Sequence, residues 1–91
     1  MIKTLQVVVS GRVQGVGYRA NTQKKAKQLG IQGWVKNLPD GRVQILAQAE
    51  QGLLDPFLDW CRSGPMFAKV TEIEIEELSA ADLMSEFHIL Y

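Results

Sequence analysis

The tightest constraint on the fold is the order in which apolar periodicity switches along the chain. Leu5, Val7 and Val9 alternate with Gln6 and Val8, the period of two expected of a strand with one buried face. From Tyr18 or Ala20 to Leu29 the repeat lengthens: Thr22, Ala26 and Leu29 share a helical face, Lys24, Lys25, Lys27 and Gln28 face water, and Gly30 supplies a stop. Alternation returns over Ile31 to Leu38, with Ile31, Gly33 and Val35 on one side and Trp34 on the other. Leu38-Pro39-Asp40-Gly41 reads as a tight turn into a hairpin partner, Arg42 to Ala49, whose Val43, Ile45, Ala47 and Ala49 share a face. Leu53, Leu54, Phe57, Leu58 and Cys61 form the stripe of a second helix. Pro56 predicts that this helix starts late, with Asp55 as N-cap, and Ser63-Gly64-Pro65 ends it. Thr71, Ile73 and Ile75 alternate with Glu72, Glu74 and Glu76 in a fourth strand, and Phe87, Ile89 and Tyr91 predict a short fifth.

The order β-α-β-β-α-β plus a terminal strand predicts an α+β chain in the split βαβ arrangement, both helices covering one face of an antiparallel sheet. With 91 residues there is material for one core, so residues 1–91 are expected to form a single domain. Ten Lys and Arg balance ten Asp and Glu, which leaves no global field for a polyanion or an acidic membrane; any anion recognition is local. The apolar run ending at Val9 is too short for a signal-peptide core or a membrane span, and the expectation is a cytoplasmic protein. One cysteine, Cys61, forms no internal disulfide.

Ser10 to Gly17 ends the first alternation and carries Gly11, Gly15 and Gly17, which reads as a loop ahead of a helix. Such a loop can turn consecutive N–H groups toward one point at the positive end of the helix dipole, where a phosphate dianion binds. Arg19, at the helix start, can add a bidentate guanidinium contact. The plain alternative is a strand-to-helix connection without a ligand. Up-down-up geometry bears on the choice. A helix of about ten residues descends roughly 15 Å and a strand of about seven climbs back roughly 20 Å. The end of the second strand, with Asn37, therefore returns to the glycine loop and Arg19.

The run Gly11-Arg12-Val13-Gln14-Gly15-Val16-Gly17-Tyr18-Arg19 and the segment Gly33-Trp34-Val35-Lys36-Asn37-Leu38-Pro39-Asp40-Gly41-Arg42-Val43 closely resemble the two signature segments of the acylphosphatase family. Similarity continues through Trp60-Cys61-Arg62-Ser63-Gly64-Pro65 and Phe87-His88-Ile89-Leu90-Tyr91. The resemblance implies a ferredoxin-like α/β sandwich that hydrolyses the carboxyl-phosphate bond of acyl phosphates without a metal, cofactor or covalent intermediate. By matched position, Arg19 would bind the phosphate together with the N–H groups of Gly15, Val16, Gly17, Tyr18 and Arg19, and Asn37 would orient the attacking water. The expected partner is a small-molecule acyl phosphate, with no nucleic acid and no membrane, and the expected state is a monomer. Ala49, where a glycine is common, and Pro56, where a helix former is usual, depart from the family pattern away from these residues.

Other side chains read as ordinary structure. His88 sits in an alternating terminal strand, and Cys61 lies on an apolar helical stripe; a cysteine phosphatase would need an arginine where Phe67 stands. Glu72, Glu74, Glu76 and Glu77 form a solvated row with no histidine partner, and Trp34 and Trp60 suit packing or a rim. Arg12 suits either the loop mouth or plain solvent. A non-catalytic anion- or acyl-phosphate-binding module of the same fold would need the cradle but not Asn37. An RNA-binding domain of similar topology would carry stacking aromatics that Arg42 to Ala47 lacks.

Overall fold

The computed structural model describes residues 1–79 and 82–91. The elements follow the predicted order: β1 (Ile2–Arg12), α1 (Tyr18–Leu29), β2 (Gln32–Asn37), β3 (Val43–Glu50), α2 (Gln51–Ser63), β4 (Lys69–Leu78) and β5 (Phe87–Ile89). The sheet order is β4-β1-β3-β2-β5. The first four strands pair antiparallel, as the split βαβ pattern requires. The short β5 joins parallel to β2, so the complete sheet is mixed.

Register explains why one face is apolar. Leu5, Ala47 and Gly33 form one cross-strand row, Val7, Ile45 and Val35 the next, and Val9, Val43 and Asn37 the last. The apolar members of these rows are all buried, beneath Tyr18, Thr22 and Ala26 of α1 and Leu54, Phe57, Leu58 and Cys61 of α2. Each fully buried aliphatic side chain contributes about 1.5–3 kcal/mol relative to exposure, so this layer dominates the folding energy. The opposite face carries Gln6, Gln44, Trp34 and Lys36, all only partly covered.

Helix α1 ends as the sequence predicts. Gly30 adopts φ 75°, its N–H donates to Lys27 O, and the Ile31 N–H reaches back to Ala26 O at 2.8 Å, the paired bonds of a Schellman stop. At its other end, the Tyr18 ring is buried and its hydroxyl donates to Cys61 O at 2.8 Å, tying α1 to α2. Thr22 Oγ1 donates to Tyr18 O at 2.7 Å.

Two local expectations are corrected. Ser10 to Arg12 is strand, not loop, because β4 pairs alongside it, with a register shift between Ser10 and Gly11. Gly11 therefore serves the sheet and not an anion cradle: at φ 119°, a Cβ there would lie 2.1 Å from Lys69 O. Helix α2 starts at Gln51, with Glu50 as N-cap, so Pro56 lies inside it and Asp55 does not cap it. Proline removes the hydrogen bond to the carbonyl four residues earlier, that of Gly52, and Gly52 is exposed to water, which can take the bond's place. Asp55 instead accepts a 2.6 Å bond from Gln51 Nε2. Leu53 falls off the buried stripe and is 38% exposed.

Burial pushes the Cys61 thiol up to about 12. Iodoacetamide at neutral pH should therefore leave the folded protein unmodified and label Cys61 only in denaturant; prompt labelling of the folded chain would contradict the burial. Gly11→Ala should lower the unfolding free energy by about 2–4 kcal/mol, because backbone strain and a main-chain clash add. Gly41→Ala, at φ 96° with nothing within 4 Å of the added Cβ, controls for strain alone and should cost about 1 kcal/mol. Urea titration of the two variants separates them, and equal midpoints would contradict the clash.

Candidate active site

Val13 follows β1 with its side chain buried, and the backbone then turns through Gly15 at φ 74° and Gly17 at φ 77° into α1. Both glycines are left-handed, a conformation that side-chain-bearing residues adopt reluctantly. Gly17 is the N-cap of α1. No side chain caps this helix and no acidic residue lies in its first turn. Among the described residues, no protein acceptor takes a hydrogen bond from the N–H groups of Gly15, Val16, Gly17, Tyr18 or Arg19. Five consecutive open donors at a positive helix end form an anion-binding concavity. The Asn21 side chain steadies the turn from below, its Nδ2 donating to Gly17 O at 2.8 Å.

A cleft of about 190 Å³ opens beside this turn, bordered by Val13, Gln14, Gly15, Gly17, Tyr18 and Arg19 on the loop side and by Asn37, Ile89 and Tyr91 on the sheet side. Arg19 and Asn37, distant in sequence, thus share one cleft, as the up-down-up path predicts. Asn37 is there because it extends the buried face of β2 by one row beyond Val35, placing an amide where the core meets the loop. Its Oδ1 is buried and has no hydrogen-bond partner among the described residues. An unmet buried carbonyl costs about 1–3 kcal/mol, the kind of expense seen where a polar group is kept for a ligand or a water.

The Tyr18 side chain points into the core, so the residue can offer a ligand only its N–H. Burial, reinforced by the neighbouring Cys61, raises its phenol far above the ordinary tyrosine range, so it stays a neutral donor at all relevant pH. Val16 packs against the hydrophobic core and is not among the residues bordering the cleft. Arg19 Nη1 donates to Leu90 O at 3.3 Å, and its guanidinium lies 5.1 Å from the centre of the Tyr91 ring. The C-terminal wall made by Ile89 and Tyr91 is absent from the sequence reading. Alternation placed these residues in a sheet, but nothing in it indicated pairing beside β2.

The remaining candidates fall elsewhere. His88 lies on the surface, its Nε2 3.7 Å from Glu86. Glu72, Glu74 and Glu76 are exposed along the edge strand β4, with Glu74 3.7 Å from Arg42. Trp60 packs at 5.6 Å against Tyr18, and Trp34 lies under the Lys36 ammonium. Among the described residues there is no cluster of three His, Cys, Asp or Glu side chains able to hold a metal ion, and no helix long and apolar enough to cross a membrane.

Comparison with known proteins identifies the family. The acylphosphatase family profile matches residues 5–89. An acylphosphatase of Methylococcus capsulatus is 46% identical over 89 residues, covering 98% of this chain and 97% of its own. One from Archaeoglobus fulgidus is 47% identical over 87 residues, covering 96% and 97%. The crystal structure of acylphosphatase from Bacillus subtilis superposes with a TM-score of 0.95 at 40% identity, over 100% of both chains. With the match running from β1 through β5, this chain belongs to the acylphosphatase family of enzymes.

Proposed function

We propose that the enzyme hydrolyses the carboxyl-phosphate bond of acyl phosphates by direct attack of water, with Arg19 and the Gly15–Arg19 main-chain N–H groups holding the phosphoryl group and Asn37 aiming the water. One observation carries the reading: the open N–H run, the guanidinium and an amide with an unmet buried oxygen border the same cleft. The phosphoryl oxygens take the N–H and guanidinium donors, whose positive charge matches the charge that the transition state spreads over those oxygens. The attacking water donates one O–H to Asn37 Oδ1, which turns a lone pair toward phosphorus. As the new O–P bond forms, the bond to the acyl oxygen breaks and a carboxylate departs with its electron pair. The water's proton passes to a phosphoryl oxygen, giving carboxylate and inorganic phosphate; among the described residues the cleft is bordered by no Asp, Glu or His side chain.

Asn37 cannot act as a base, since an amide has no protonation change near neutral pH. Its contribution is position, which a carboxylate leaving group allows to suffice. The same chemistry supports metal independence, because the guanidinium and the helix end supply the positive charge a cation would bring. The proposal includes a cytoplasmic monomer acting on a small-molecule acyl phosphate, without nucleic acid or membrane. The balance of ten basic against ten acidic residues supports the part that concerns nucleic acid and membrane.

Arg19→Ala should lower turnover of benzoyl phosphate by at least ~10²-fold, the scale for losing one preorganised donor. Near-normal turnover by the folded variant would remove Arg19 from the mechanism. Asn37→Ala should reduce kcat more than it weakens phosphate inhibition. A wild type that binds phosphate but does not hydrolyse benzoyl phosphate would instead identify a binding module. Chelator should leave the rate unchanged; loss of activity restored by a divalent cation would contradict the metal-free scheme.

A further inference from the structure

Gln14 is the residue between the buried Val13 and the open turn at Gly15, and its side chain leaves the loop altogether. Its Nε2 donates to Leu38 O and to Arg42 O, each at 2.9 Å. Both partners are carbonyls, which only the nitrogen end of an amide can satisfy, so the orientation of the side chain is fixed by chemistry. Each of the two N–H bonds of that nitrogen has one acceptor. The same two carbonyls close the β2–β3 turn, Arg42 O accepting from the Leu38 N–H at 2.8 Å and Leu38 O from the Gly41 N–H at 3.2 Å. Gln14 thereby grips both arms of the hairpin.

The covalent neighbours give this contact its meaning. Gly15, the first residue of the open N–H run, follows Gln14 directly, and Leu38 directly follows Asn37. Among the described residues, no other hydrogen bond joins the 13–17 loop to the 37–42 hairpin. The N–H run and Asn37 are otherwise related only through the packed core and the length of α1. We infer that Gln14 is a positioning residue, which sets the separation of the phosphate cradle from Asn37 and so the line along which water meets phosphorus. The inference rests on the role proposed for Asn37.

Attack in line with the leaving group tolerates little misplacement, about 1 Å being enough to lose ~10²-fold in rate. Phosphate binding, by contrast, uses the Gly15–Arg19 N–H groups and the Arg19 guanidinium, none of which the Gln14 side chain hydrogen-bonds; its Nε2 donates to Leu38 O and Arg42 O. The test is a double-mutant cycle with Gln14→Met, similar in length but without a donor, and Asn37→Ala, assayed with benzoyl phosphate under conditions where circular dichroism shows each variant folded. Gln14→Met is expected to lower kcat by ~10- to 100-fold while KM and the phosphate inhibition constant stay within ~3-fold. In the Asn37→Ala background the same substitution should change kcat by no more than ~3-fold, since the residue acts through the amide already removed. Should Gln14→Met fail to fold, Gln14→Asn, which keeps both N–H donors one methylene short, enters the cycle with the same expectations.

A normal kcat for Gln14→Met, or kcat losses that multiply in the double variant, would overturn the positioning role while leaving the Asn37 reading intact. An unchanged kcat in Asn37→Ala alone would overturn the Asn37 reading, and the role of Gln14 with it. A fall in melting temperature with kcat preserved would mark Gln14 as structural only and would likewise overturn the proposal.

Discussion

The burial of Tyr18 is the constraint on which the rest of the structure depends. Its ring occupies the junction of the two helices, tilted against Trp60 and so close to Gly64 that a Cβ there would lie 3.0 Å from the ring edge. Its hydroxyl, kept neutral by desolvation, donates to Cys61 O in α2. Because Tyr18 is the first residue of α1, this anchor fixes the helix at its N-terminal end. That is where a helix has unmet donors, and fixing it by a side chain directed inward leaves those donors directed outward.

The consequence is a site whose electrostatics come almost entirely from main chain. The helix start has no capping side chain and no acidic residue in its first turn, so its partial positive charge is not spent there. Arg19 adds a full charge beside it. Among the described residues its hydrogen-bond acceptor is the Leu90 carbonyl and its aromatic contact the Tyr91 ring, neither of which neutralises that charge. Across the cleft, Asn37 terminates an apolar row with a polar group, and the sheet register that buries Val9 and Val43 also fixes where that group stands. Fold and site are thus one arrangement read at two scales.

Much of this was legible from the residues. Period-two and helical stripes gave the element order, and the short rise of α1 against the climb of β2 brought Asn37 back to the glycine loop. The glycines needed separating by structure: Gly15 and Gly17 turn the loop, whereas Gly11 makes room for the backbone of β4, a long-range contact that local spacing does not encode. Helix α2 defied the proline rule because the bond Pro56 forfeits lies on the solvent side, which depends on how the helix is rolled against the sheet. The parallel pairing of β5, and with it the Tyr91 wall, was hidden because alternation signals a strand but not its neighbour. Local spacing says nothing of the role of Gln14, since its two acceptors are carbonyls from a distant hairpin.

The central claim is that one phosphoryl group can meet the main-chain donors, the guanidinium and the Asn37 amide at once. Crystals grown with orthovanadate, which takes the five-coordinate shape of phosphorus under attack, test it most directly. The account predicts equatorial oxygens within about 3 Å of N–H groups in the Gly15–Arg19 run and of Arg19, and one apical oxygen within the same distance of the Asn37 side chain. Vanadate bound in the cleft with both apical oxygens turned away from Asn37, or bound elsewhere on the surface, would contradict it.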